Sequence, residues 1–201
     1  MTTTTVSAEV DLSSTFIFVR IEMRPRISIV AHERLTRDVT NILALGLFLE
    51  SDDPSYSSNH RILSRFQVIR SRYGSPYEMD LQVIQSAAMT ASAGVAAVAY
   101  VLRQVSHAVR DLAEGRKFRA EASAQEAANA MRRSIRDEEQ EVIAAIKKAS
   151  NNLSRKQKRQ MARVLSGAQS SSVDQRSSKE RELIASIQRL AARDSSIWVE
   201  N

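Results

Sequence analysis

Residues 73–112 read YGSPYEMDLQVIQSAAMTASAGVAAVAYVLRQVSHAVRDL, and the conformation of this stretch decides the architecture of the chain. Its opening carries helix-start chemistry. Ser75 can accept a hydrogen bond from a backbone amide three residues on, Pro76 loses nothing at a first helical position, and Glu78 can bond back to the cap. Gly74 permits the sharp turn before it. The spacing then predicts a helix from residue 76. Leu81, Ile84, Ala88, Ala91, Val95, Val98, Leu102, Val105, Val109 and Leu112 alternate at three and four residues, which is the seam of a heptad. Beyond Leu112 charges take over. Met131, Ile135, Val142, Ile146 and Leu153 resume a narrower stripe, and Gly115 marks a bend. The expectation is one long or bent heptad-patterned helix over 76–150.

Two environments suit such a seam. No charged residue lies between Leu81 and Leu102, and that span as a helix rises roughly 33 Å, enough to cross a bilayer. Ala88, Ala91, Ala93, Gly94 and Ala97 would let helices approach closely in lipid. Against this, the span is rich in alanine rather than leucine, and it carries Gln82, Gln85, Ser86, Thr90 and Ser92. The heptad also continues unbroken into charged sequence, which is the mark of a helix packed on another helix. The reading adopted is a helical seam that joins copies of the chain or a helical partner. A transmembrane helix at 81–102, anchoring an accessory or effector protein to the inner membrane, is the alternative.

Working outward, residues 12–23 read as a strand, with Ile17, Val19, Ile21 and Met23 on one face at period two and Phe16 and Phe18 on the other. Residues 30–51 read as a helix with a stripe of Leu35, Val39, Ile42, Gly46 and Leu49, stopped by Asp52, Asp53 and Pro54. Residues 61–73 read as a second strand: Ile62, Phe66 and Val68 share a face, opposite Leu63, Ile69 and Tyr73. The β-α-β order suggests a parallel pair joined by a crossover. Residues 1–11 are expected to be a disordered tail, and 12–75 a small α+β module. After Asn151 and Asn152, Ser154 is a cap for a basic helix within 151–167, ended by Gly167. A Ser- and Gln-rich linker follows at 168–177. A last helix at 178–195 opens on a second capping box, Ser177 with Glu180, and carries Leu183, Ile187 and Leu190. The fold class expected is α+β and predominantly helical.

The chain has 201 residues, no cysteine, five glycines and a net charge of +6. Without cysteine there is no disulfide, zinc-thiolate or thiol chemistry. Met1 to Val6 lacks the basic-then-apolar pattern of a signal peptide, so a cytoplasmic chain is expected. The basicity is local: residues 103–164 hold fifteen basic and eight acidic side chains. Within it Lys147, Lys148, Arg155, Lys156, Lys158, Arg159 and Arg163 form a run with no acid between its ends. Such a run suits a polyanion or an acidic surface. It has no interleaved aromatics for base stacking, so any nucleic-acid association would be non-specific.

Catalytic and metal chemistry finds little footing. His32, His60 and His107 lie in different elements without metal-ligand spacing. Asp52 and Asp53 beside Pro54 read as turn punctuation. Glu138, Glu139 and Glu141 do not make the Glu-x-x-His pattern of carboxylate-bridged metals. There is no phosphate-cradling glycine loop, nucleophile elbow or dinucleotide fingerprint. The reading is therefore a non-catalytic interaction or oligomerisation protein, with no cofactor and no metal.

A strand, then Tyr73, Gly74, Ser75, Pro76, Tyr77 and Glu78, then an apolar helix running into a charged one: this order resembles a group of small actinobacterial proteins. The resemblance covers about residues 15–140. It implies no activity, and it leaves membrane association and helical assembly both open.

Overall fold

In the computed structural model, which describes residues 16–21, 28–53, 56, 66–72, 76–83, 88–119, 126–170, 175–193 and 195–200, the stretch 73–112 is divided between a strand and a helix. In chain order the elements are β1 (Phe16–Ile21), α1 (Ile29–Glu50), β2 (Phe66–Arg72), β3 (Tyr77–Val83), α2 (Ala88–Arg119), α3 (Glu126–Ser150), α4 (Arg155–Gln169), α5 (Gln175–Ala191) and β4 (Ser195–Glu200). The protein is thus α+β and predominantly helical.

The strand β3 replaces the expected start of the long helix. Tyr77, Met79, Leu81 and Val83 are buried, and Glu78, Asp80 and Gln82 between them are half-exposed. That is strict alternation at period two, the signature of a strand with one covered face. Leu81, read as the first seam position, therefore belongs to the sheet. The capping chemistry of Ser75 to Glu78 is a local preference worth about 1 kcal/mol. Pairing on both edges of β3, with burial of four apolar side chains, outweighs it.

The sheet runs β2-β3-β1-β4, and every neighbouring pair is antiparallel. β1 and β2 consequently point the same way, as a β-α-β unit requires, but β3 lies between them. The expected parallel pair is split rather than formed. On the covered face Ile17 sits opposite Leu81 and Val199, and Val19 opposite Met79 and Ile197. β4 was not anticipated. It brings the end of the chain against β1 near its start, so the sheet also takes strands from beyond residue 75. β2 is an edge strand with a bulge between Val68 and Arg70. The bulge breaks its alternation and leaves Val68 and Ile69 exposed. Arg70 reaches Glu78 at 3.7 Å and Asp80 at 3.1 Å across the pair.

The helices form one core with the sheet. Ser28 caps α1, accepting from the Ala31 amide at 3.2 Å, and α1 buries nearly everything from Ile42 to Leu49, as its all-round apolar sequence predicts. α2 packs on α1, α3, α5 and β4. It meets α1 where Gly46 and Gly94 face each other. A Cβ on Gly94 would fall on the Gly46 carbonyl. The two backbones touch because neither residue has a side chain.

α1 and α5 are joined by a buried ion pair. Asp38 is fully buried and accepts from Arg189 Nε at 2.9 Å and from its terminal nitrogen at 2.6 Å. Hydrogen bonding to Asp38 pushes the Arg189 guanidinium further above its already high value. Glu182 shares Arg189 at 2.6 Å, and Asn41 Nδ2 donates to Ser186 Oγ at 2.9 Å.

Two further boundaries differ from expectation. α4 runs through Gly167 to Gln169. Gly167 is not a helix stop: its bare Cα is where the buried Glu180 of α5 packs, and a Cβ there would fall on the Glu180 carboxylate. Glu180 is therefore not half of a capping box. α5 already starts at Gln175, two residues before Ser177. The span 76–150 contains β3, α2 and α3 rather than one helix. The tail at 1–11 lies outside the described residues.

Candidate functional site at the α3–α4 corner

α3 ends in a tight turn. The amides of Asn151, Asn152 and Leu153 donate to the carbonyls of Lys148, Ala149 and Ser150 at 3.1–3.2 Å. Asn152 also donates through Nδ2 to the Tyr100 hydroxyl on α2, which fixes the turn to the bundle. Ser154 then caps α4 with a reciprocal box. Its Oγ accepts from the Gln157 amide at 3.3 Å, and its own amide donates to Gln157 Oε1 at 3.0 Å. The cap at Ser154 is the one the sequence predicts.

One face of α4 is pinned to the end of α1. α1 has no basic residue in its last turn, so its terminal carbonyls lack a local cation. α4 supplies the donors. Gln160 Nε2 donates to the carbonyls of Ser51 at 2.7 Å and Asp53 at 3.0 Å, and Arg163 donates to Asp53 at 3.3 Å. Gln157 Nε2 donates to Glu50 Oε1. Lys156 Nζ lies 3.2 Å from Asp52 Oδ1, an open surface pair since Asp52 is 92% exposed. Asp52 and Asp53 thus serve as the expected punctuation of α1, and also as its tie to α4.

The other face is left positive. Arg155, Lys158 and Arg159 are exposed on α4, and Lys147 and Lys148 are exposed on the last turn of α3. Among the described residues none of these five side chains has an ion pair or hydrogen bond. An open cleft of about 480 Å³ is lined, among the described residues, by Arg155, Lys156 and Arg159. The first turn of α4 contains no acid. Its cations sit at the positive end of the helix macrodipole, an arrangement unfavourable by roughly 0.3–1 kcal/mol each. The run of seven cations therefore divides: Lys156 and Arg163 reach the residues that end α1, Lys156 from the edge of the cleft, and the other five are exposed.

The seam residues have a different fate. Val95, Val98 and Val105 are 0% exposed and Leu102 is 4% exposed, all within a single chain. Val109 is partly buried against the same core. These described seam residues thus lie inside the chain, on a helix that packs against α1, α3, α5 and β4. Ile84 lies outside the described residues, as do the side chains of Ala88, Ala91 and Leu112. The described residues of the uncharged span 81–102 belong to β3 and α2, and no helix among the described residues is long and apolar enough to cross a membrane.

The chain matches no family model, no curated protein and no solved structure.

The two described histidines lie on different helices. His32 packs edge-on against Tyr77 with ring centroids 6.1 Å apart, His107 is exposed on α2, and His60 lies outside the described residues. No group of three His, Asp or Glu side chains that could hold a metal ion occurs among the described residues. The ion pair of Asp38 and Arg189 was missed from sequence. Its signal was an acid three residues after Leu35 and next to Val39, inside an apolar stripe.

Proposed function

We propose that this is a non-catalytic interaction protein that docks an acidic protein surface on its α3–α4 corner. The observation that carries the reading is the division of labour on α4: one face is fixed to the end of α1, while Arg155, Lys158 and Arg159, with Lys147 and Lys148 at the end of α3, are exposed and have no ion pair or hydrogen bond among the described residues. Cations held on a rigid corner keep their mutual spacing, which favours a complementary acidic patch and speeds encounter with it. An acidic protein suits the corner better than single-stranded nucleic acid, because no aromatic side chain interleaves the basic run for base stacking. The reading uses no second copy on α2, since the described seam residues Val95, Val98, Leu102 and Val105 are buried inside the chain. It places the chain in the cytoplasm, in keeping with its lack of cysteine.

The test is fluorescence anisotropy of labelled polyglutamate titrated with the full chain. Changing Lys147, Lys148, Arg155, Lys158 and Arg159 together to Gln should weaken binding at least tenfold, and binding to the wild type should fall steeply as salt rises. Binding unchanged in that variant refutes the corner. Duplex DNA that displaces polyglutamate at lower charge concentration would move the reading to nucleic acid.

A further inference from the structure

The basic corner contains a concavity as well as a charge. We infer that the open cleft lined by Arg155, Lys156 and Arg159 is a binding site for a multiply charged phosphoryl group; this rests on the reading of the corner as anion-facing.

Arg155 and Arg159 are four residues apart on α4, so their side chains rise from the same face. Each guanidinium is a planar fork that matches phosphate oxygens in pairs. Both are exposed and neither has an ion pair among the described residues. Lys156 adds a third cation on the same cleft. Its volume of about 480 Å³ falls within the range typical of small-ligand pockets, roughly 300–1,000 Å³. Three cations suit a group that carries two or more charges better than a single carboxylate. The described lining of the cleft is cationic throughout.

Asp52 is the competitor built into the site. Its carboxylate holds Lys156 Nζ at 3.2 Å, yet Asp52 is almost wholly exposed and easily displaced. An incoming phosphoryl group takes Lys156 from it. Removing the Asp52 charge should therefore tighten binding by about 2–5-fold, the worth of one exposed ion pair.

The experiment is a nitrogen–proton correlation titration of the full chain with sodium pyrophosphate, at ionic strength held constant with sodium chloride. Saturable shifts confined to the amides around residues 154–159 are expected. Arg155→Gln with Arg159→Gln should weaken them at least tenfold, and Asp52→Asn should strengthen them. The substituted side chains are exposed, so circular dichroism should show the fold retained. Shifts that chloride reproduces, or that survive the double arginine change, overturn the site.

Polyglutamate separates this inference from the wider reading. If pyrophosphate fails while polyglutamate still binds through Lys147, Lys148 and Lys158, the cleft falls and the corner stands. If both fail, both fall. Once pyrophosphate binds, phosphatidylcholine vesicles with and without a phosphoinositide identify the source. Co-sedimentation with the phosphoinositide vesicles alone assigns the group to a lipid headgroup, and its absence assigns it to a soluble phosphate.

Discussion

Replacing Gly94 by Ala should destabilise the protein although alanine is the better helix former. In an open helix, Gly→Ala gains about 1 kcal/mol. Here the new methyl would land on the Gly46 carbonyl, a backbone atom that no rotamer change can move aside. The reciprocal change is milder. A Cβ on Gly46 would meet Val95 Cγ2 at 2.9 Å, the Val95 amide nitrogen at 3.0 Å and the Gly94 carbonyl carbon at 3.1 Å. Ordinary carbon contacts lie at roughly 3.5–4.0 Å, so α1 and α2 would have to part by several tenths of an ångström for Gly46→Ala. Gly94→Ala needs more, and the separation loosens Val95, Val98 and Leu45, all fully buried beside the crossing.

Overpacking of this kind costs about 1–3 kcal/mol. Net of helix propensity, Gly46→Ala should lose about 1 kcal/mol, and Gly94→Ala about 2 kcal/mol or more. For a chain of this size each kcal/mol moves Tm by about 2–4 °C. Gly94→Ala should therefore lower Tm by at least about 4 °C in thermal unfolding followed by circular dichroism. Ala96→Gly, at an exposed position of the same helix, is the control and should lose about 1 kcal/mol from propensity alone. A rise in Tm for Gly94→Ala would refute the close crossing.

Asp38→Asn should cost about 2–3 kcal/mol in urea unfolding, below the roughly 3–5 kcal/mol of a wholly buried pair, because Arg189 keeps 29% exposure; an unchanged midpoint would show that the α1–α5 pair contributes nothing. Burial raises the Tyr56 phenol well above its ordinary value near 10. Its folded pKa exceeds the unfolded one, so its contribution is whole below pH ~10 and is lost as pH rises beyond it. Tyr56→Phe should flatten that alkaline loss in a pH series of unfolding midpoints, and an equally steep decline would assign it elsewhere.

Local patterns were legible where local forces decide. α1 was expected at 30–51 and occupies Ile29–Glu50, because an apolar run of that length has only one way to bury itself. The face of Ile17, Val19 and Ile21 was read correctly from period two. The Ser154 cap was read from the residue types that satisfy orphan amides. The candidate site was legible as a list of cations, since charge is written in composition. Which of them face outward was not, because Lys156 and Arg163 are engaged by a helix end more than a hundred residues away in sequence.

What the sequence by itself determined is the inventory: a helix-dominated α+β chain, no thiol chemistry, a basic run, and an apolar stripe that had to be covered. Tertiary structure decided what covers it. Leu81 to Leu112 scans as one heptad because a strand ending at Val83 and a helix starting at Ala88 happen to keep the spacing in register. Only the neighbours β1 and β2 make Tyr77–Val83 extended, and only β1 gives the last six strand residues, Ser195–Glu200, a partner. A strand's stability lies in its pairing, and pairing is a property of distant sequence. The same holds for Gly46, Gly94 and Gly167, each needed for what it touches rather than for how it turns.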